Sequence, residues 1–178
     1  HQGNFDIPIY MSQIPGLKGF VSKVEVKKIP GVRTWMEYMY CVFMDRSNIR
    51  KAGEAIVHGI KILKSGHSLV IFPEGTRSRN AKMIEAKKGI ILIARLTKAK
   101  IVPFGMTGTE KLMPINDENM GAEKFHHSKV NIKFGTPIDL PKKEKDEGKH
   151  EYEERALNYL MKNIANLLPE DYRGVYKD

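Results

Sequence analysis

The chain has 178 residues, 41% of them hydrophobic and 29% charged, enough for one compact domain with a core and too apolar for a disordered chain. Its formal net charge of +9 favours an anionic partner (nucleic acid, an acidic membrane face or a phosphorylated substrate) without choosing among them. The single cysteine, Cys41, excludes an intrachain disulfide, and no apolar run approaches the length that spans a bilayer.

In chain order, Asp6 to Met11 can begin a helix, and Val32 to Met39 reads as a short helix entered through Pro30 and Gly31. Cys41 to Met44 is a short apolar strand. Ile49, Ala52, Ile56, Ile60 and Leu63 recur at three- and four-residue steps, the stripe of an amphipathic helix. Ser47 or Asn48 can cap its start and Gly66 can end it. Ser68 to Phe72 predicts a buried strand, Lys87 to Ala99 a helix, and Ile101 to Phe104 a further strand. Apolar and polar residues alternate from Val130 to Phe134, as in a half-exposed strand. Lys142 to Glu154, dense in mixed charge, reads as a solvated loop and helix face. Leu157, Leu160, Met161, Ile164, Leu167 and Leu168 form a terminal helical stripe closed by Pro169. Strands separated by helices predict a single α/β domain over residues 1–178, with a mainly parallel central sheet flanked by helices. Ligands of such sheets gather beyond the carboxyl ends of the strands. The chain opens at His1 rather than Met, so a natural N-terminal segment is expected to precede it.

Four segments contain residues suited to chemistry. In HQGNFD, His1 and Asp6 lie five apart. A carboxylate bonded to one imidazole nitrogen fixes the tautomer and raises the basicity of the other, which suits proton abstraction from a hydroxyl. Taken alone, such a pair is more often a cap and a surface residue. VFMDR, Val42 to Arg46, ends a short strand, and alone it reads as a strand closed by an ion pair. FPEGTRSR, Phe72 to Arg79, follows the buried strand SLVIF. Pro73 and Gly75 force a tight path that lets backbone approach a ligand, and Arg77 offers a planar fork suited to phosphate. Glu74 can orient an arginine or bond an acceptor hydroxyl. IVPFGMTG, Ile101 to Gly108, is an apolar strand broken at Pro103, and alone it is a strand and a loop.

Together and in this order, the four segments resemble the glycerolipid acyltransferase family, closest to the 1-acylglycerol-3-phosphate (lysophosphatidate) acyltransferases. His1 and Asp6 match the family's first block, Phe43, Asp45 and Arg46 its second, FPEGTRS its third and Pro103 its fourth; Lys87 and Gly89 match the Lys-x-Gly that follows the third. The resemblance runs from His1 to about Pro137. Tyr40 stands where the family usually has Gly, and Gly3 where it often has Ser; an aromatic at position 40 would reshape the acceptor pocket.

The resemblance implies direct transfer of a fatty acyl group from acyl-CoA or acyl-carrier protein to the sn-2 hydroxyl of 1-acylglycerol 3-phosphate, giving phosphatidic acid. His1 would be the general base and Asp6 its orienting partner. Arg46, Glu74, Gly75, Thr76, Arg77, Lys87 and Pro103 would form the substrate site. No metal or other cofactor is implied. The implied partners are the thioester donor, the glycerol-phosphate lipid and an anionic membrane surface at the cytoplasmic face, with no nucleic acid. Glycerol 3-phosphate or another lysophospholipid is the alternative acceptor. Two rival classes are a thioester hydrolase and a non-catalytic basic module that binds anionic membrane or nucleic acid. Other templates fail: GHSLV lacks the last Gly of a nucleophile elbow, and His126 and His127 have no metal-ligand spacing around them.

Overall fold

The computed structural model describes residues 3, 5–45, 47–114 and 124–177. The chain forms two compact units interleaved in sequence, one of His1–Ile14, Pro73–Lys88 and Lys100–Asp178, the other of Pro15–Phe72 and Gly89–Ala99.

The second unit is built on a parallel three-stranded sheet of β1 (Lys18–Lys23), β2 (Val42–Met44) and β3 (Ser68–Val70), in the order β2-β1-β3. Val21 pairs with Val42 on one side of β1, and Gly19 with Leu69 on the other. β1 was not predicted from sequence. KGFVSK has two adjacent apolar residues and no alternation, yet this strand is the centre of the sheet. Its Gly19 is required by a close approach: a Cβ there would lie 2.3 Å from the carbonyl oxygen of Tyr40. A 3-10 turn (Val24–Lys28) and helix α2 (Val32–Tyr38) lead from β1 to β2. Parallel neighbours cannot be joined by a tight hairpin, so crossover segments are obligatory.

Helix α3 (Ile49–Lys64) starts at Asn48, whose side chain accepts a hydrogen bond from the Lys51 N–H at 3.1 Å. Its inward residues Ala55 and Ile62 pack with Val42 into a buried cluster, joined by Val21, Met44 and Leu69. Ile49, the first residue of the apolar stripe, is 93% exposed and contributes nothing to that cluster. Helix α4 (Gly89–Thr97) buries Ile91, Ile93 and Ala94. The Cys41 thiol is buried, accepts from the Phe20 N–H at 3.4 Å, and is pushed up in pKa by burial, the signature of an inert core residue.

The first unit carries α1 (Asp6–Gln13), the segment Pro73–Lys88, strands β4 (Phe104–Thr107) and β5 (Asn131–Phe134), the short helix α5 (Thr109–Leu112) and α6 (Lys149–Ala165). β4 and β5 pair antiparallel, Phe104 opposite Phe134. The strand expected over Ile101–Phe104 is displaced: Ile101 makes only an isolated bridge to Ile138, and the ladder starts at Phe104. Proline has no N–H to donate, so Pro103 cannot continue a ladder, although its carbonyl accepts from Gly135 N at 2.8 Å. Tyr10 of α1 packs against Phe104 and Phe134, with ring centroids 4.9 and 5.9 Å away. Helix α6 begins inside the charge-rich stretch and buries Tyr152, Ala156, Leu157, Leu160, Met161 and Ala165, the spacing of one helical face. Two 3-10 turns, Glu170–Tyr172 and Gly174–Tyr176, follow it. No helix among the described residues is long and apolar enough to cross a membrane.

Candidate active site

Asp6 opens α1 and is 2% exposed. Burial of a carboxylate is costly unless donors meet it. Both of its oxygens lie 3.2 Å from the Gly3 N–H, two residues after His1. Gly3 is packed closely enough that a Cβ on it would stand 3.2 Å from the carbonyl oxygen of Thr109 and 3.5 Å from an Asp6 oxygen. The Asp6 carboxylate therefore sits beside the backbone of the His1–Asp6 segment, with Thr109 against the same point. His1 itself lies outside the described residues, and so does Arg46.

The FPEGTRS segment leaves β3 and runs to α4 without helix or strand. Such a loop must find partners for its own backbone groups. Glu74 supplies one: it is 5% exposed, and its Oε1 accepts from the Ile84 N–H at 3.0 Å. Its carboxylate therefore folds the loop back on itself. The Lys87 N–H donates to Pro73 O at 2.9 Å, closing the base of the loop. The Lys87 stem runs beside Gly75, with Cγ 3.6 Å from where a Cβ on Gly75 would stand. Gly75 takes a φ of +72°. Thr76 is exposed and Arg77 half-buried on this loop. Buried Ser78 donates to Asn80 Oδ1 at 2.9 Å and tightens the turn that follows. Thus Glu74, Gly75 and Lys87 are brought together by loop geometry. Pro103 is buried, and Gly135 packs against it so closely that a Cβ on Gly135 would stand 3.0 Å from its ring.

In the other unit, Phe43 is the middle residue of β2, with Lys27 Nζ 4.8 Å from its ring centre. Asp45 accepts from the Ser47 hydroxyl at 2.6 Å and the Ser47 N–H at 3.1 Å, and Lys51 Nζ lies 3.5 Å away. The Ser47 hydroxyl, more than the lysine, holds the Asp45 carboxyl below its ordinary pKa. Tyr40, at the family's usual glycine, has a φ of +58° and stacks on the His67 ring at 3.8 Å. The positive φ accounts for a preference for glycine there.

Thr109 escaped the sequence reading. It follows directly on Gly108, is 1% exposed, and its hydroxyl has no hydrogen-bond partner among the described residues. Its signal lay only in adjacency to the fourth segment. Among the described residues, no group of three or more His, Cys, Asp and Glu side chains is placed to hold a metal ion.

The sequence model of the Acyltransferase family matches residues 1–107, more than half of this α/β chain, and the chain belongs to that family. It is 32% identical over 138 residues to the chloroplastic 1-acyl-sn-glycerol-3-phosphate acyltransferase LPAT1 of Arabidopsis thaliana, covering 78% of this chain and 37% of that protein. It is 27% identical over 177 residues to the 1-acyl-sn-glycerol-3-phosphate acyltransferase of Bacillus subtilis, covering 96% of this chain and 80% of that one. Its fold matches the crystal structure of the 1-acyl-sn-glycerophosphate acyltransferase PlsC from Thermotoga maritima with a TM-score of 0.71 and 30% identity, over 94% of this chain and 63% of that chain. The chain thus spans well under half the length of the Arabidopsis protein.

Proposed function

We propose that this chain transfers a fatty acyl group from an acyl thioester to the sn-2 hydroxyl of 1-acylglycerol 3-phosphate, forming phosphatidic acid. The observation that carries this reading is that the buried acid of the His-x4-Asp segment and the PEGTRS part of the loop, from Pro73 onward, belong to one compact unit. The names of the related proteins supply the acceptor.

In this mechanism His1 takes the proton of the acceptor hydroxyl, and Asp6 holds the imidazole tautomer and stabilises the imidazolium. The oxygen attacks the thioester carbonyl, and the C–S bond breaks as the tetrahedral adduct collapses. The leaving thiolate recovers the proton from His1. Arg77 holds the acceptor phosphate, Lys87 adds charge, and backbone at Gly75 and Thr76 approaches it closely; Arg46 is assigned to substrate binding by the family resemblance alone. Glu74 serves the site by folding this loop through Ile84, and Pro103 by walling the region behind it. The thioester already carries the activated acyl group, so the chemistry requires no metal or redox partner. The basic surface would dock at the anionic cytoplasmic face of a membrane, where the acceptor resides.

The test is an acceptor screen with mass detection of the ester. Acyl-CoA and acyl-carrier protein are each offered with lysophosphatidate, glycerol 3-phosphate, monoacylglycerol or water alone. Phosphatidic acid from lysophosphatidate is the expected product, and its absence in a His1→Ala protein the expected control. Free fatty acid regardless of acceptor would make the chain a thioester hydrolase. Salt-sensitive nucleic-acid binding without any product would make it a basic binding module.

A further inference from the structure

The last residues of the chain are bonded into the arginine-bearing loop. Met83 N–H donates to Tyr172 O at 2.8 Å, and Val175 N–H donates to Met83 O at 3.3 Å, so both backbone groups of Met83 are held by the carboxy-terminal segment. Ala86 N–H donates to the Tyr176 hydroxyl at 3.1 Å. Gly174, at a φ of +52°, is pressed onto the loop: a Cβ there would stand 1.9 Å from Met83 O. The Tyr172 side chain reaches elsewhere. Its hydroxyl donates to Glu110 Oε1 at 2.7 Å, and Glu110 Oε2 accepts from Gly108 N at 2.8 Å. Between Gly108 and Glu110 lies Thr109, the residue packed against Gly3 of the catalytic segment. The Glu110 carboxylate raises the Tyr172 phenol to about 12, which keeps it a donor throughout the neutral range.

Every group in this chain of contacts belongs to the same compact unit, and Tyr172 and Tyr176 both lie beyond the 1–107 family match. The loop has no helix or strand of its own. A phosphate clamp built on such a loop works only if its backbone is fixed before the ligand arrives. Inside the loop, Glu74 and Pro73 each fix one amide, those of Ile84 and Lys87. The tail fixes those of Met83 and Ala86.

We propose that the segment 170–177 is a brace for the acceptor site, with Tyr176 a positioning residue for the phosphate-binding loop and Tyr172 a positioning residue that joins this loop to the Gly108–Glu110 turn beside the catalytic segment. The proposal rests on the acyl-transfer reading above. Tyr176→Phe deletes one hydrogen bond to the loop and raises the KM for lysophosphatidate roughly three- to ten-fold. Tyr172→Phe releases the turn and lowers kcat by a similar factor, roughly three- to ten-fold. The KM for the thioester donor stays within about two-fold of wild type in both, and so does turnover of dephosphorylated monoacylglycerol in Tyr176→Phe, because these do not use the phosphate clamp.

The full chain is assayed by steady-state kinetics with both acceptors, beside thermal melting and amide hydrogen exchange. Unchanged acceptor KM and kcat in both variants overturns the proposal. So does a rise of donor and acceptor KM together in step with a fall in melting temperature, which is what general loosening would give. If the wild-type chain transfers no acyl group, the functional reading falls, and the brace is judged on exchange alone. Faster exchange in Tyr176→Phe confined to residues 73–88 supports it, and exchange identical to wild type overturns it.

Discussion

Asp6 is an ionisable group with 2% exposure at the first position of a helix, its two oxygens turned to one backbone N–H. An asparagine there keeps the shape and one acceptor oxygen but cannot stabilise an imidazolium. Asp6→Asn is therefore expected to leave the circular dichroism spectrum unchanged and lower acyl transfer by ~10²–10⁴. Near-wild-type turnover by a folded Asp6→Asn protein would refute the role given to it. At Arg77, lysine retains charge without the planar fork, so Arg77→Lys should raise the lysophosphatidate KM and leave the donor KM alone. A variant that still prefers the phosphorylated acceptor as strongly as wild type would move the clamp elsewhere. Both roles are what the family resemblance of the four segments implies, and residue spacing alone favoured neither. What could not be read was how Glu74 is used: its bond to Ile84 joins residues ten apart through a turn that no local pattern announces.

Among the elements, α3 shows both what periodicity captures and where it stops. Its stripe of Ile49, Ala52, Ile56, Ile60 and Leu63 gives the helical period but not the buried face: Ala55, Gly59 and Ile62 are the buried residues, Ala52, Ile56, Ile60 and Leu63 are half-buried, and Ile49 in the first turn faces solvent. The start of the helix depends on its cap, so Asn48→Ala should lower stability by about 1 kcal/mol, measured by urea denaturation. A midpoint equal to wild type would show that water replaces the cap. From within α6, Arg155 grips Glu147 ahead of the helix with two nitrogens, at 2.6 and 2.8 Å, and lowers its carboxyl to about 2 from 4.5. A depressed folded-state pKa stabilises the fold above the unfolded value and loses that contribution as pH falls through the folded one. Wild type should thus melt above Glu147→Gln at neutral pH, and the gap should close between pH 4.5 and about 2. A gap that persists unchanged at pH 2 would assign the effect to packing. β1 was illegible for a different reason. Its place at the centre of the sheet comes from pairing with strands on both sides, while its own residues include a glycine and two lysines.

At the scale of the whole molecule, a net charge of +9 without a spanning helix among the described residues predicts reversible, electrostatic attachment to anionic vesicles. Each Lys or Arg near such a surface contributes about 1 kcal/mol, screened by salt. Sedimentation with phosphatidylserine vesicles should fall steeply from low to high salt, and equal binding to neutral vesicles would point to apolar insertion instead. The sequence alone determined the family, the order of its four segments and most of the helices, because chemistry-bearing residues and helical stripes are local properties of the chain. Only the tertiary structure decided that β1 centres the sheet, that the ladder after Pro103 starts at Phe104, and that Tyr172 and Tyr176 close on the loop at Met83 and Ala86. Those three depend on hydrogen bonds between distant residues, and a backbone N–H carries no mark in the sequence of the carbonyl it will meet.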